Sequence, residues 1–331
     1  MSLADENVKI WSFNLYNYLL LARPRQWVKH VFIIPGVVLA FVLVGNPEFN
    51  LLFSVSFGFA AACLLASANY VMNGWLDGEF DRFHPSKRDR PAATGQVLAA
   101  FVHLEYGLFI FSGLILAWFV SLSFFVTAIV FILMAVIYNV PPLRFKDHAF
   151  LDVLTESINN PIRLMMGWAM VSGNTIPPSS LFISYWFGGA FLMAAKRLAE
   201  YRMMAGENGL EDLRKYRKSF ARYTENSLII CSFAYGLLAA FFMAAFLIKH
   251  RNEFLFLFPF LAGLFAYYLW LALDRRKSFV VQNPEKLHTD KALMVILGII
   301  ALLFVFLLLV DMPLAEHLIG VGKGINYNPW K

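Results

Sequence analysis

The sequence predicts an all-α integral membrane protein: a nine-transmembrane-helix bundle with its N-terminus in the cytoplasm. Three observations carry that expectation. Of 331 residues, 59% are hydrophobic and only 15% charged, against about a quarter charged in soluble domains. Apolar runs of bilayer-spanning length recur along nearly the whole chain. Lys and Arg concentrate in alternate loops.

The spans fall near residues 30–46, 51–73, 99–119, 122–140, 150–172, 180–199, 227–248, 254–273 and 291–310. The first contains Pro35 and Gly36, which predict a tilt or kink. The third and fourth are joined by almost nothing, so a tight antiparallel turn is expected. Residues 1–29 form a cytoplasmic segment whose apolar residues suit an amphipathic helix lying in the interface. Residues 30–310 are expected to form the transmembrane bundle, which is the catalytic domain if the polar motifs below are a site, and 311–331 a short tail on the opposite side. Orientation follows from the basic residues. Lys9, Arg23, Arg25 and Lys29, the cluster after Asp81, Arg144 and Lys146, the Arg202–Arg222 group, Arg275–Lys277 and Lys286 share one side. Only Lys249, Arg251, Lys323 and Lys331 lie on the other. Every polar motif then faces the cytoplasm across a cell (inner) membrane.

Net charge is +6, which the positive-inside distribution explains; the cations are too dispersed for a nucleic-acid surface. Cys63 and Cys231 sit within apolar runs, which argues against a disulfide framework. The N-terminus is polar and mixed in charge, and no cleavable signal peptide is expected.

The stretch "NGWLDGEFDRFHPSKRDRP" (73–91) leaves an apolar span. Asn73, Asp77 and Asp81 are spaced i, i+4, i+8, one helical row of ~12 Å, and Asn69 lies one turn earlier. Such a row offers hard oxygen ligands. Mg²⁺ takes one or two carboxylates and completes its shell with water and substrate phosphates. A solvated helix end is the plainer alternative. The row begins inside an apolar span, where polar groups are costly, and Arg82, Lys87, Arg88 and Arg90 follow at once, as a polyphosphate requires. His84-Pro85 should end the helix and leave these cations on a mobile loop.

Further along, Asp152 and Glu156 form a second i, i+4 acidic pair. A shared cation, with the first row opposite, would make a two-centre metal site; an exposed helix start is the alternative. Arg163 lies about halfway into the same span and needs a partner. Asn159, Asn160 and Pro161 before it should break the helix beside a polar cavity. Lys196 and Glu200, again i, i+4, end the sixth span with Arg197 and suit a mutual pair. The basic-aromatic "LRKYRKSFARY" that follows suits anionic lipid first, with helping to hold phosphate as the alternative.

The acidic row resembles the first aspartate-rich motif of the UbiA superfamily of intramembrane prenyltransferases, and "YNVPPLRFK" with Asp152 and Glu156 is similar to its second motif region. "RPRQWVKH", "NGWLDGEFDRFHPSKRDRP" with "ATG", "AAKRLAEYR" and "NPEKLHTDKAL" resemble, in order and spacing, the decaprenyl-phosphate phosphoribosyltransferase branch. Gly74 departs from the pattern: a carboxylate is expected there. The "PPLRFK…DVLTESINNPIR" segment looks more like ordinary prenyltransferases.

The resemblance implies a nine-helix fold and Mg²⁺-diphosphate chemistry. Asn73, Asp77, Asp81, Asp152 and Glu156 are then the metal ligands, the four carboxylates being catalytic. Arg25, Lys29, Asn69, Lys87, Arg90, Lys146, Arg163, Lys196, Arg197 and Glu200 serve substrate and phosphate. The first reading is phosphoribosyl transfer from phosphoribosyl pyrophosphate to a polyprenyl phosphate. The second moves a prenyl group from a prenyl diphosphate to an aromatic or other small acceptor. A lipid transporter or scaffold is the non-catalytic alternative, but it should show polar groups on both faces and internal repeats. A homo-oligomer stays open.

Overall fold

The computed structural model describes residues 14–45, 50–207, 209–250, 252–274 and 276–309. Lys9, Arg251, Arg275, Lys323, Lys331, the 311–331 tail and the start of the N-terminal segment lie outside them. Every regular element among the described residues is helical.

Helix α1 (Leu15–Ala22) is capped by Asn14, whose Oδ1 accepts from the Tyr16 amide. It ends at Arg23, in the left-handed region (φ 48°), with Pro24 after it. A 3-10 stretch (Pro24–Ile33) leads into α2 (Ile34–Val44). The residues expected to end an interfacial helix therefore run on helically into the first apolar span. Tyr18, Leu21 and Ala22 pack with Val71, Val97 and Val102, while Leu15, Tyr16, Leu19 and Leu20 are exposed. Gly36 earns its place by close approach: a Cβ there would sit 2.1 Å from the Leu164 carbonyl oxygen, and one on Gly167 2.1 Å from that of Ile33. Backbone thus crosses backbone, which only glycine permits.

Helix α3 (Leu51–Leu76) is followed by the single turn α4 (Gly78–Asp81). Asp77 N–H donates to Asn73 O and Asp81 N–H to Asp77 O, so the predicted row keeps helical spacing across the junction. Helices α5 (Ala99–Val120) and α6 (Leu122–Asn139) are separated by Ser121 alone, whose hydroxyl caps α6 at the Phe124 amide. This is the predicted tight turn. Buried alanines, among them Ala61, Ala62, Ala117 and Ala128, let α3, α5 and α6 approach closely.

The fifth span is broken, as Asn159-Asn160-Pro161 predicts, into α7 (Leu151–Ser157) and α8 (Asn159–Ala169). The long α9 (Ser179–Glu207) packs against both, and α10 (Gly209–Tyr216) folds back on it. Helices α11 (Glu225–His250), α12 (Phe258–Leu273), α13 (Ser278–Gln282) and α14 (Lys291–Leu309) complete the bundle.

Among the described residues six helical stretches are long and apolar enough to cross a membrane. They are Leu15–Val44, Leu51–Leu76, Ala99–Val120, Leu122–Asn139, Glu225–His250 and Glu253–Leu273. The other expected spans are α7–α8, which is broken, α9, which carries Lys196, Arg197 and Glu200, and the shorter α14. The surface is inverted relative to a water-soluble protein. Leu52 and Leu302 are 80% and 74% exposed, whereas Asp152 and Arg197 are 0% and 1% exposed. Apolar outside and charge inside is the distribution of a multi-pass membrane protein.

Candidate active site

The acidic row and the broken helix converge at one end of the bundle on three cavities in series. The outer basin, about 120 Å³, is lined by Asn73, Asp77, Asp81, Lys87, Arg90 and Arg23, among others. An inner cavity of about 150 Å³ shares Lys29, Tyr70, Asn73, Tyr138, Glu156 and Lys196 with it, and adds Asn69, Asn160 and Arg163. A third cavity, about 340 Å³, is walled by Leu192, Leu261, Leu264, Phe265, Leu293 and neighbours. Phe32, Asn160, Gly189, Leu192, Tyr268 and Leu287 line both the inner and the third cavity. Polarity thus falls steadily from charged to apolar.

In the outer basin every carboxylate of the first motif meets a cation. Asp77 Oδ1 accepts from Lys146 Nζ at 2.5 Å and from Arg144 at 2.9 Å. Burial alone would raise the Asp77 carboxyl; the charges of Lys146, Arg217 and Arg144 outweigh it and hold it below the usual range. Burial pulls Lys146 down to about 8, although Asp77 opposes this. Asp81 accepts from Arg90 at 2.8 Å. The segment after His84-Pro85, expected as a free loop, is folded onto the row. Lys87 donates to Tyr216 and, at 3.3 Å, to Glu200, and the His84 and Tyr216 rings meet edge to face at 4.6 Å. Burial, with Lys87 nearby, lowers His84 to about 3, so it is a neutral packing group at any physiological pH.

The second acidic pair divides. Glu156 faces the cavities, accepting from Tyr138 at 2.7 Å and Arg197 at 2.8 Å. Asp152 lines none of them. Its Oδ1 accepts from Tyr223 at 2.6 Å; its Oδ2 accepts from Arg197 at 3.0 Å and Ser219 at 3.2 Å, with Arg217 at 3.5 Å. The expected shared cation is therefore a guanidinium, and no cluster of three acidic, His or Cys side chains suited to a metal ion occurs among the described residues. Arg197, expected on phosphate, is instead surrounded by Asp152, Glu156 and Glu200. The expected Lys196–Glu200 pair is replaced by Arg197–Glu200 and Lys87–Glu200. Arg25 is exposed and lines none of the three cavities; Arg23 takes that place. Asn69 accepts from Asn139 at 3.0 Å on the inner wall.

The UbiA prenyltransferase family model matches residues 32–283. The chain belongs to that family. As a UbiA protein it is a membrane transferase. The decaprenyl-phosphate phosphoribosyltransferase of Mycolicibacterium smegmatis is 31% identical over 238 residues, 68% of this chain and 71% of that protein. That of Corynebacterium glutamicum is 32% identical over 215 residues, 62% and 59% of the two chains. A UbiA homologue from Archaeoglobus fulgidus, solved bound to DMAPP and Mg²⁺, superposes with a TM-score of 0.65 at 20% identity, covering 88% of this chain and 98% of that one. At such identity the likeness establishes the UbiA fold.

Several cavity residues of this UbiA protein escaped the sequence reading. Arg217 lies in the basic-aromatic stretch that suits lipid, yet it reaches Asp152 and Tyr138. Tyr138 and Asn139 end α6 ahead of "VPP" and carry no charge to draw attention. A Cβ on Gly74 would meet two side-chain ends, Leu21 Cδ2 at 3.0 Å and Arg23 Nη2 at 3.4 Å.

Proposed function

We propose that this protein transfers a phosphoribosyl group from phosphoribosyl pyrophosphate to a polyprenyl phosphate, with Mg²⁺. The observation that carries this is the graded series of cavities, a cation-rich basin leading through a mixed chamber to an apolar one. Its two ends suit a water-soluble polyphosphate and a lipid tail. The relatives named decaprenyl-phosphate phosphoribosyltransferase support the same substrates. The reading includes a nine-crossing bundle in the cell (inner) membrane, with N-terminus and basin on the cytoplasmic side.

The donor set fits Mg²⁺. Asn73, Asp77 and Asp81 present an amide and two carboxylates along one helical row on the basin wall. Two carboxylates suffice for an ion that a substrate diphosphate completes. When bound, the ion would neutralise charge developing on the departing pyrophosphate. Glu156, held by Tyr138 and Arg197, suits the ribose hydroxyls as an acceptor. Asp152 serves as the buried anchor that orients Arg197 and Arg217.

In the reaction a lipid phosphate oxygen attacks the anomeric carbon. The bond from that carbon to pyrophosphate breaks, and pyrophosphate leaves with the electron pair. The nucleophile is already anionic, so no strong base is needed. Lys87 and Arg90, on the basin wall, stabilise the leaving charge from fixed positions, and Lys146, behind Asp77, holds that carboxylate. Their ion pairs keep both partners ionised until substrate arrives.

A second reading, prenyl transfer from a prenyl diphosphate to a small acceptor, is favoured by the DMAPP-bound structural neighbour. To separate the two, purified protein with Mg²⁺ is given either phosphoribosyl pyrophosphate and polyprenyl phosphate, or prenyl diphosphate and aromatic acids. Lipid products are read by mass spectrometry. Phosphoribosylated lipid is expected; prenylated acceptor without it overturns the proposal.

A further inference from the structure

The cations around the cavities are not alike. Lys87, Arg90, Arg144, Lys146, Arg197 and Arg217 each pair with a carboxylate. Arg163 does not. It is 6% exposed and donates only to the Asn159 carbonyl at 3.3 Å and, at 3.5 Å, to Asn160 Oδ1. Its buried Nε has no hydrogen-bond partner. Its guanidinium lies over the Phe131 ring, 5.4 Å from the centroid, and the side chain lines the inner cavity. Lys29 and Lys196 line the same cavity, and among the described residues neither has a carboxylate within ion-pair distance. A buried arginine with no carboxylate in ion-pair contact is costly, Glu156 acting only across the cavity, unless a ligand supplies that charge.

Position narrows the ligand. Asn160, which accepts from Arg163, also lines the apolar cavity. It is pressed against α9 at Gly189, where a Cβ would fall 2.2 Å from Asn160 Nδ2. The unpaired cation therefore stands where the inner cavity meets the apolar one, whereas Asp77 and Asp81 line the outer basin and neither of the other two cavities. An anion held by Arg163 is thus set apart from a diphosphate bound through a metal ion at those carboxylates. Beside the apolar cavity, it suits a head group joined to an apolar tail.

We infer that Arg163, with Lys29 and Lys196, forms a separate subsite for the phosphomonoester head of the lipid substrate, whose chain enters the apolar cavity. This rests on the phosphoribosyl-transfer reading for the identity of the reaction. It adds that lipid phosphate and donor diphosphate sit at opposite ends of two joined basins, with Lys29 and Lys196 lining both and Arg163 only the inner one, and that the head group rather than the chain decides selection. A polyprenol of equal length, having no charge to meet Arg163, is a poor ligand.

The test measures binding and turnover separately. Purified wild type, Arg163→Met, Arg163→Lys and Lys196→Met are titrated with polyprenyl phosphate, with the matching polyprenol and with phosphoribosyl pyrophosphate, and KM is measured for both substrates. Loss of a charge-assisted contact predicts a roughly 10- to 100-fold weaker Kd and KM for polyprenyl phosphate in Arg163→Met. Donor KM should change less than about twofold, a shift of under 0.5 kcal/mol. Arg163→Lys should recover part of the loss, and Lys196→Met should show the same lipid-selective defect if Arg163→Met does not fold. Equal binding of polyprenol and polyprenyl phosphate by wild type overturns the subsite. So does a defect confined to the donor. If wild type makes no phosphoribosylated lipid yet binds polyprenyl phosphate in an Arg163-dependent way, the reaction assignment fails and the subsite stands.

Discussion

Asp152 and Glu156 are one helical turn apart, yet they do different work because their neighbours differ. Asp152 is fully buried and takes two guanidiniums and two hydroxyls. Removing its charge takes from Arg217 the carboxylate it pairs with and from Arg197 one of three, so Asp152→Asn should cost about 3–5 kcal/mol of stability. Thermal unfolding in detergent checks this; an unchanged Tm contradicts an anchoring role. Asp77→Asn and Asp81→Asn should instead leave the fold intact and lower kcat at least about 100-fold, as expected when a charge-stabilising group is lost. Retained turnover by both removes the metal assignment. Lys146, lowered by burial to about 8, is ammonium below that pH and neutral above it. Transfer should therefore fall as pH rises through about 8, and Lys146→Arg, which cannot lose its proton in this range, should move that limb upward. A limb that does not move assigns it to another group.

At the scale of elements, what was legible in the sequence was what local geometry decides. The i, i+4, i+8 acids share a face because α3 and α4 continue one another. Asn159-Asn160-Pro161 marks the α7–α8 break, and Ser121 the turn between α5 and α6. Partners were not legible, because they come from far along the chain. Arg144, which meets Asp77, is 67 residues away, and Tyr223, which meets Asp152, is 71 away. Equal spacing therefore suggested one shared cation for Asp152 and Glu156, while the fold supplied a guanidinium. The same limit hid Arg217, since a basic stretch does not reveal which of its side chains turns inward. Close approach was equally hidden. Gly167→Val should force α2 away from α8 and lower stability by at least about 1–3 kcal/mol, the usual size of overpacking. A Tm equal to wild type would show that the crossing relaxes freely.

For the whole molecule, the distribution of basic residues supports the proposal that the end holding the outer basin faces the cytoplasm. In a Cys63→Ser, Cys231→Ser background, Arg88→Cys should react with an impermeant thiol reagent only from the inner face, and Ile176→Cys only from the outer. The reverse pattern inverts the assigned orientation. On the proposed function, the graded cavities would let one site take a charged, soluble donor at one end and a long apolar acceptor at the other, with the reacting atoms between the acidic row and Arg163. The most direct measurement of that claim is pyrophosphate release from phosphoribosyl pyrophosphate by purified protein with Mg²⁺, titrated with polyprenyl phosphate. Release should require the lipid phosphate, match its consumption one to one, and vanish in Asp77→Asn. Release from a prenyl diphosphate with an aromatic acceptor, and none from phosphoribosyl pyrophosphate, would contradict it.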